Sequence, residues 1–188
     1  NTNGANFCVI SKQVKKISKN KLIKVTNTHS FLNKLAQIKR YNSNSKIVAV
    51  TGSSGKTSVK DLVGNLLKYF GKTYFSPKSY NNSYGVPLSL SNLEQSHKFG
   101  VFEIGMSKAG EIDKLSKLVK PDIGIITNIA EAHIENFKNL RQIAIAKGEI
   151  INNISPKGSL IIDRDSKYFS YFKSEAEKKK INVTSVGY

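Results

Sequence analysis

The chain has 188 residues, 39% hydrophobic and 9% aromatic, enough for one sizeable core. Its apolar runs are too short to span a membrane, and residues 1–10 lack the basic-then-apolar pattern of a signal peptide. The net charge of +17 raises nucleic-acid binding, but scattered lysines and only three arginines fit AT-rich codon usage better. The lone Cys8 excludes an internal disulfide and fits a reducing cytoplasm. The chain does not begin with Met, so it reads as a fragment.

In chain order, residues 1–25 are Lys- and Asn-rich with short apolar patches, as at the cut end of a preceding domain. Residues 28–41 carry Phe31, Leu32, Leu35 and Ile38 at helical spacing, with Thr28 as the expected N-cap. A polar linker follows to residue 45. Residues 47–50 read as a buried strand. After a small-residue loop, a helix opens at Lys56 with Val59, Leu62, Val63, Leu66, Leu67 and Phe70 as its apolar positions. Strands are then expected at 72–75, 99–104, 123–127, 159–163 and 181–186. Helices are expected at 86–93, 111–119, 140–154 and 166–180. Residues 76–85 form a long turn-rich loop, and 130–136 a loop or short turn. Strands alternate with helices, so the predicted class is α/β, a mainly parallel sheet with flanking helices.

The loop at 51–58 reads Thr-Gly-Ser-Ser-Gly-Lys-Thr-Ser. Strand, glycine loop, Lys-Thr and helix together describe a phosphate-binding loop, here in the shorter Gly-x-x-Gly-Lys-Thr form. Backbone N–H groups from Gly52 to Ser58, through Ser53, Ser54 and Gly55, would face an anion at a helix N-terminus. Lys56 would reach the terminal phosphates, and the Thr57 hydroxyl would hold Mg²⁺.

Ligands of such sheets lie beyond the carboxyl ends of the strands. Glu103 sits there inside an apolar run, either as a Mg²⁺ ligand opposite Thr57 or paired with a lysine. His133 follows the next strand end and is a candidate at the same edge. His29 and His97 read as surface. Lys147 shares a helical stripe with Ile143, Ala144, Ile150 and Ile151, so it either snorkels or is desolvated. A desolvated amine can act as a base, form a Schiff base or capture CO₂ as a carbamate. Asn81 and Asn82 lie in a turn-rich loop, where Asn is common for local reasons.

Five stretches resemble the Mur ligase family. They are 51–60 around the loop, Asn81-Asn-Ser-Tyr-Gly-Val-Pro-Leu88, Phe102-Glu-Ile-Gly-Met-Ser107 with Gly110-Glu-Ile112, Thr127-Asn-Ile-Ala-Glu-Ala-His133, and Ala146-Lys-Gly-Glu-Ile150. The resemblance covers about 46–165 and leans to the D-alanyl-D-alanine-adding branch. It implies a P-loop NTPase-like central domain, and an ATP-dependent ligase joining D-alanyl-D-alanine to UDP-N-acetylmuramoyl-tripeptide through an acyl phosphate. Carried over by motif, Lys56 and the loop hold ATP phosphates. Thr57 and Glu103 serve one Mg²⁺. His133 and a carbamylated Lys147 (N6-carboxylysine) serve a second. Asn81 or Asn82 lines the nucleotide or acyl-phosphate site. Asp163 stands where the family usually has Asn, which leaves that position without an assigned role. Residues 1–27 become the remnant of an N-terminal UDP-substrate-binding domain, 28–45 a connecting helix and linker, and 46–188 a truncated central ATP-binding domain without its C-terminal partner. The expectation is a cytoplasmic bacterial monomer that binds no nucleic acid, with this piece inactive alone. The alternatives are another Mur-type or folylpolyglutamate synthase-like ligase, a plain P-loop NTPase or kinase, and a basic nucleic-acid module.

Overall fold

Residues 5–14, 19–131 and 136–187 are described by the structure, a computed structural model. The apolar runs at 46–51, 99–103 and 159–163 supply the central strands, because β-branched and aromatic side chains suit a surface buried on both faces. A first small sheet pairs β1 (Cys8–Ile10) with β2 (Leu22–Lys24) in parallel. Helix α1 (Thr28–Tyr41) follows, capped by Asn27, whose side chain accepts from the Ser30 N–H at 2.9 Å. Asn27 takes the place expected for Thr28, since the cap must keep extended backbone and Thr28 is already helical.

The main sheet has six parallel strands in the order β4-β5-β3-β6-β7-β8. They are β3 (Lys46–Thr51), β4 (Thr73–Phe75), β5 (Phe99–Glu103), β6 (Ile123–Ile126), β7 (Ser159–Asp163) and β8 (Asn182–Val186). The linking helices are α2 (Lys56–Leu67), α3 (Gly85–Ser91), α4 (Glu111–Val119), α5 (Leu140–Gly148) and α6 (Phe169–Lys178). The helix expected over 140–154 changes to a 3₁₀ segment at Glu149–Asn153. From β3 the chain steps one way across the sheet to β4; every later step runs the other way. Right-handed crossovers therefore place α2 on one face and α3 to α6 on the other. Neighbouring strands β3 and β5 send their following helices, α2 and α4, to opposite faces, so the loop after β3 lies at the switch point where such sheets bind ligands.

The larger core joins α1, α3, α4, α5 and α6 to the sheet through Ala36, Leu90, Phe102, Ile104, Ile112, Ile143 and Phe172, all at most 2% exposed. Each large aliphatic or aromatic group so buried stabilises by about 1.5–3 kcal/mol. The smaller core sets Val59, Val63 and Leu67 of α2 on Val48, Val50 and Val101. Leu62, Leu66 and Phe70 were expected inside and are instead 61%, 52% and 68% exposed. The inner stripe of α2 carries Lys60 and Gly64, both buried. In α1, Ala36 is buried while Leu35 and Ile38 are exposed. Among the described residues, no helix is long and apolar enough to cross a membrane.

Candidate active site

The loop after β3 is held by its own backbone geometry and by the end of β6. Gly55 precedes α2 with φ +74°, a left-handed conformation that favours glycine. Gly52 has φ +149°, and a Cβ there would lie 1.8 Å from Thr127 Oγ1. The end of β6 fastens the loop from the side. Asn128 accepts from Ser53 N–H through its carbonyl (3.0 Å) and from Ser54 N–H through Oδ1 (2.9 Å). Thr127 Oγ1 donates to Ser54 O at 2.6 Å, and Ser53 Oγ pairs with the backbone of Ala130. Thr127 and Asn128 thus serve the site by holding the loop. Gly52→Ala should lower stability by about 1–3 kcal/mol from backbone strain alone, with the Thr127 clash added. A thermal melt indistinguishable from that of the parent would refute this.

Two lysines meet on the inner side of the loop. Lys56 Nζ donates to Gly52 O (2.9 Å) and Ser53 O (3.2 Å), and Lys147 Nζ donates to the same Gly52 O at 2.8 Å. Lys147 is 2% exposed, so its ammonium does not snorkel to solvent. Burial first, and the nearby Lys56 charge second, push its pKa down to about 8.

On the other side, Glu103 closes β5 and is 1% exposed. Thr57 Oγ1 donates to its Oε2 at 2.7 Å, and Asn81 Nδ2 donates to its Oε1 at 2.7 Å. Ser79 Oγ lies 3.2 Å from Thr57 Oγ1. Among the described residues, no lysine or arginine pairs with Glu103. A buried carboxylate without a counter-charge is costly, so the site calls for a cation. The oxygens of Thr57, Ser79 and Glu103 suit a hard ion such as Mg²⁺. No trio of His, Cys, Asp and Glu side chains gathers among the described residues. Ser79 escaped the sequence reading because a hydroxyl in a turn-rich loop looks like ordinary turn chemistry.

Asn82 does something different from Asn81. Its Oδ1 accepts from the Tyr84 and Gly85 N–H groups (3.1 and 2.9 Å), capping the start of α3. Ser58 is exposed in the first turn of α2. His133 lies outside the described residues. His29, expected as a plain surface residue, is half-buried with Nε2 2.8 Å from Ser83 O. A cavity of about 610 Å³ runs from Lys56 and Lys147 past Asn81 and Asn82 to His29 and Lys114. A second cavity, of about 620 Å³, lies between α1 and α4 around Ile38, Arg40 and Lys117, and no residue of 51–58 lines it. Two turns after Ile143, Glu149 accepts from Gly110 N–H (2.7 Å) and Asp113 N–H (3.1 Å) and so caps α4.

Comparison with known proteins bears on this site. Residues 50–188 match the Mur ligase middle domain. The UDP-N-acetylmuramoyl-tripeptide–D-alanyl-D-alanine ligase of Buchnera aphidicola is 41% identical over 162 residues, 86% of this chain and 36% of that protein. A MurF crystal structure from Acinetobacter baumannii superposes with TM-score 0.85 at 31% identity, covering 98% of this chain and 40% of that one. MurF of Thermotoga maritima, in complex with ADP, gives TM-score 0.82 at 30% identity, over 99% and 42%. The chain therefore spans about 40% of the length of these relatives. Sequence and fold agree over the whole nucleotide-binding core, and the chain belongs to the Mur ligase family.

Proposed function

We propose that this chain is the ATP-binding part of a ligase that joins D-alanyl-D-alanine to UDP-N-acetylmuramoyl-tripeptide in the bacterial cytoplasm. Residues 46–188 form the central domain, 28–45 its connector and 1–27 the end of a UDP-substrate domain. The observation that carries the reading is the buried Glu103, held between Thr57 and Asn81 at the mouth of a phosphate loop. The relatives named above supply the choice of substrates.

The loop N–H groups and the start of α2 hold the ATP phosphates. Lys56 leaves the Gly52 and Ser53 carbonyls to meet the terminal phosphate. Thr57, Ser79 and Glu103 would hold Mg²⁺, which supplies charge neutralisation on the phosphates. The peptide carboxylate attacks the γ-phosphorus and ADP leaves. The amine of D-alanyl-D-alanine, having lost its proton, then attacks the acyl carbon, and phosphate departs as the amide forms. Both steps depend on positioning more than on covalent help from the protein.

Lys147 separates this reading from a plain P-loop kinase. A pKa near 8 leaves roughly a quarter of the amine neutral at pH 7.5, against about one in a thousand for an ordinary lysine. Neutral amine is the form that captures CO₂. The resulting carbamate, with His133, is the proposed holder of a second cation. The assay is phosphate release by the full-length protein with ATP and both substrates. Dependence on UDP-N-acetylmuramoyl-tripeptide and D-alanyl-D-alanine together is expected. Turnover with a folate and glutamate, or with ATP alone, would overturn it.

A further inference from the structure

Lys60 is completely buried, at 0% exposed, and nothing above uses its charge. It lies one helical turn after Thr57 on the same face of α2. Its Nζ donates to Ser76 O at 2.7 Å and to Lys78 O at 2.9 Å, and meets Asp61 Oδ1 at 2.8 Å. Two hydrogen bonds and one ion pair therefore hold the ammonium. The two hydrogen bonds end on one loop, the stretch between β4 and α3.

That loop carries the residues that reach the cation site. Ser76 Oγ accepts from the Glu103 N–H at 3.3 Å. Lys78 has φ +50°, a conformation rare for a residue with a Cβ, and its carbonyl is one that Lys60 holds. Ser79 follows and lies beside Thr57. Asn81, whose N–H donates to Ser79 O at 2.8 Å, reaches Glu103. A methionine or leucine at position 60 would fill the same space without taking a charge out of water. The lysine gives what an apolar side chain cannot, fixed donors to two carbonyls that flank a strained residue.

We infer that Lys60 is a positioning residue: its ammonium clamps residues 76–78 so that Ser79 and Asn81 meet Thr57 and Glu103. The inference rests on the reading of Thr57 and Glu103 as a Mg²⁺ site. It assigns Lys60 no contact with nucleotide or peptide.

The test uses the full-length ligase with Lys60→Met, Lys60→Gln, Asp61→Asn, Ser79→Ala and Glu103→Gln. Groups that orient metal ligands typically change affinity about 10–100-fold when lost. Lys60→Met should raise the Mg²⁺ concentration for half-maximal activity at least about tenfold, with kcat at saturating Mg²⁺ changed far less. Mn²⁺ binding to the ADP complex, read by electron paramagnetic resonance, should weaken by the same factor. Amide hydrogen exchange over 76–81 should quicken in the nucleotide-free protein. Lys60→Gln, which keeps one donor pair, should fall between Met and parent. Asp61→Asn should leave the Mg²⁺ dependence unchanged, because the two carbonyl bonds remain. Folded Lys60→Met with parental Mn²⁺ affinity and parental exchange would overturn the inference. So would loss of the fold in both Lys60 variants, which would assign the lysine to the core. If Ser79→Ala and Glu103→Gln also leave Mn²⁺ binding untouched, the cation reading itself has failed.

Discussion

Glu103→Ala in the full-length ligase should abolish Mg²⁺-dependent turnover while the domain stays folded. Charge neutralisation by a bound cation is worth several kcal/mol, so a fall on the order of 10³-fold is expected at 1.36 kcal/mol per decade. The fold should survive because the carboxylate contributes little to it. Glu103 is buried with no cationic side chain paired to it among the described residues, and removing such a charge relieves a desolvation penalty. The opposing effect is that Thr57 and Asn81 lose their acceptor, about 1 kcal/mol each. The two effects offset, so the melting midpoint without metal should move by only a few degrees. The rise in melting temperature that Mg²⁺ and nucleotide give the parent should disappear. An unchanged rate would return Glu103 to a structural role.

The second large effect concerns Lys147. Lys147→Ala should reduce turnover about 10²–10³-fold, the usual loss when one fixed electrostatic group is removed from a reacting site. Acetate or formate should restore part of it by standing in for the carbamate. Lys147→Arg should not respond, since a guanidinium stays charged and cannot capture CO₂. In the parent, ¹³C-bicarbonate should give a carbamate resonance that fades as pH falls below about 8, where the amine becomes protonated. The same depressed pKa has a stability signature. An unfolded lysine titrates near 10.5, so between about pH 8 and 10.5 the unfolded chain binds more protons. This group's destabilising share is thus complete below pH 8 and relieved as pH rises through that window. No carbamate signal, together with no rescue by carboxylates, would leave Lys147 as a buried donor to Gly52 O.

The order of strands and helices was legible because the apolar runs and the helical stripes had different periods. Residues 111–119 illustrate this: Ile112, Leu115 and Leu118 mark one face, Pro121 stops the helix, and α4 has those bounds. Lys147 was legible as an anomaly on an apolar stripe, but only the position of its Nζ separates a desolvated amine from a snorkelling one. Lys60 was hidden for the opposite reason. It stands between Val59 and Asp61, a setting equally ordinary for an exposed lysine, and α2 covers the sheet with a narrow stripe of Val59, Val63 and Leu67, leaving Leu62 and Leu66 outside. Ser79 and Asn81 come from a loop whose composition speaks only of turns. Their partners, Thr57 and Glu103, are 22 residues away in each case, and such pairings follow from the sheet order.

The Gly52 carbonyl accepts from Lys56 and Lys147 at once. This makes the two lysines thermodynamically linked. When Lys56 swings to a phosphate, one positive charge leaves the neighbourhood of Lys147. In the proposed carbamate form of Lys147 the sign would reverse, and Lys56 would gain an anionic neighbour. Whatever factor nucleotide exerts on CO₂ uptake, CO₂ must exert on nucleotide affinity. Under the proposed function, one backbone oxygen would tie the grip on ATP to the supply of dissolved carbon dioxide.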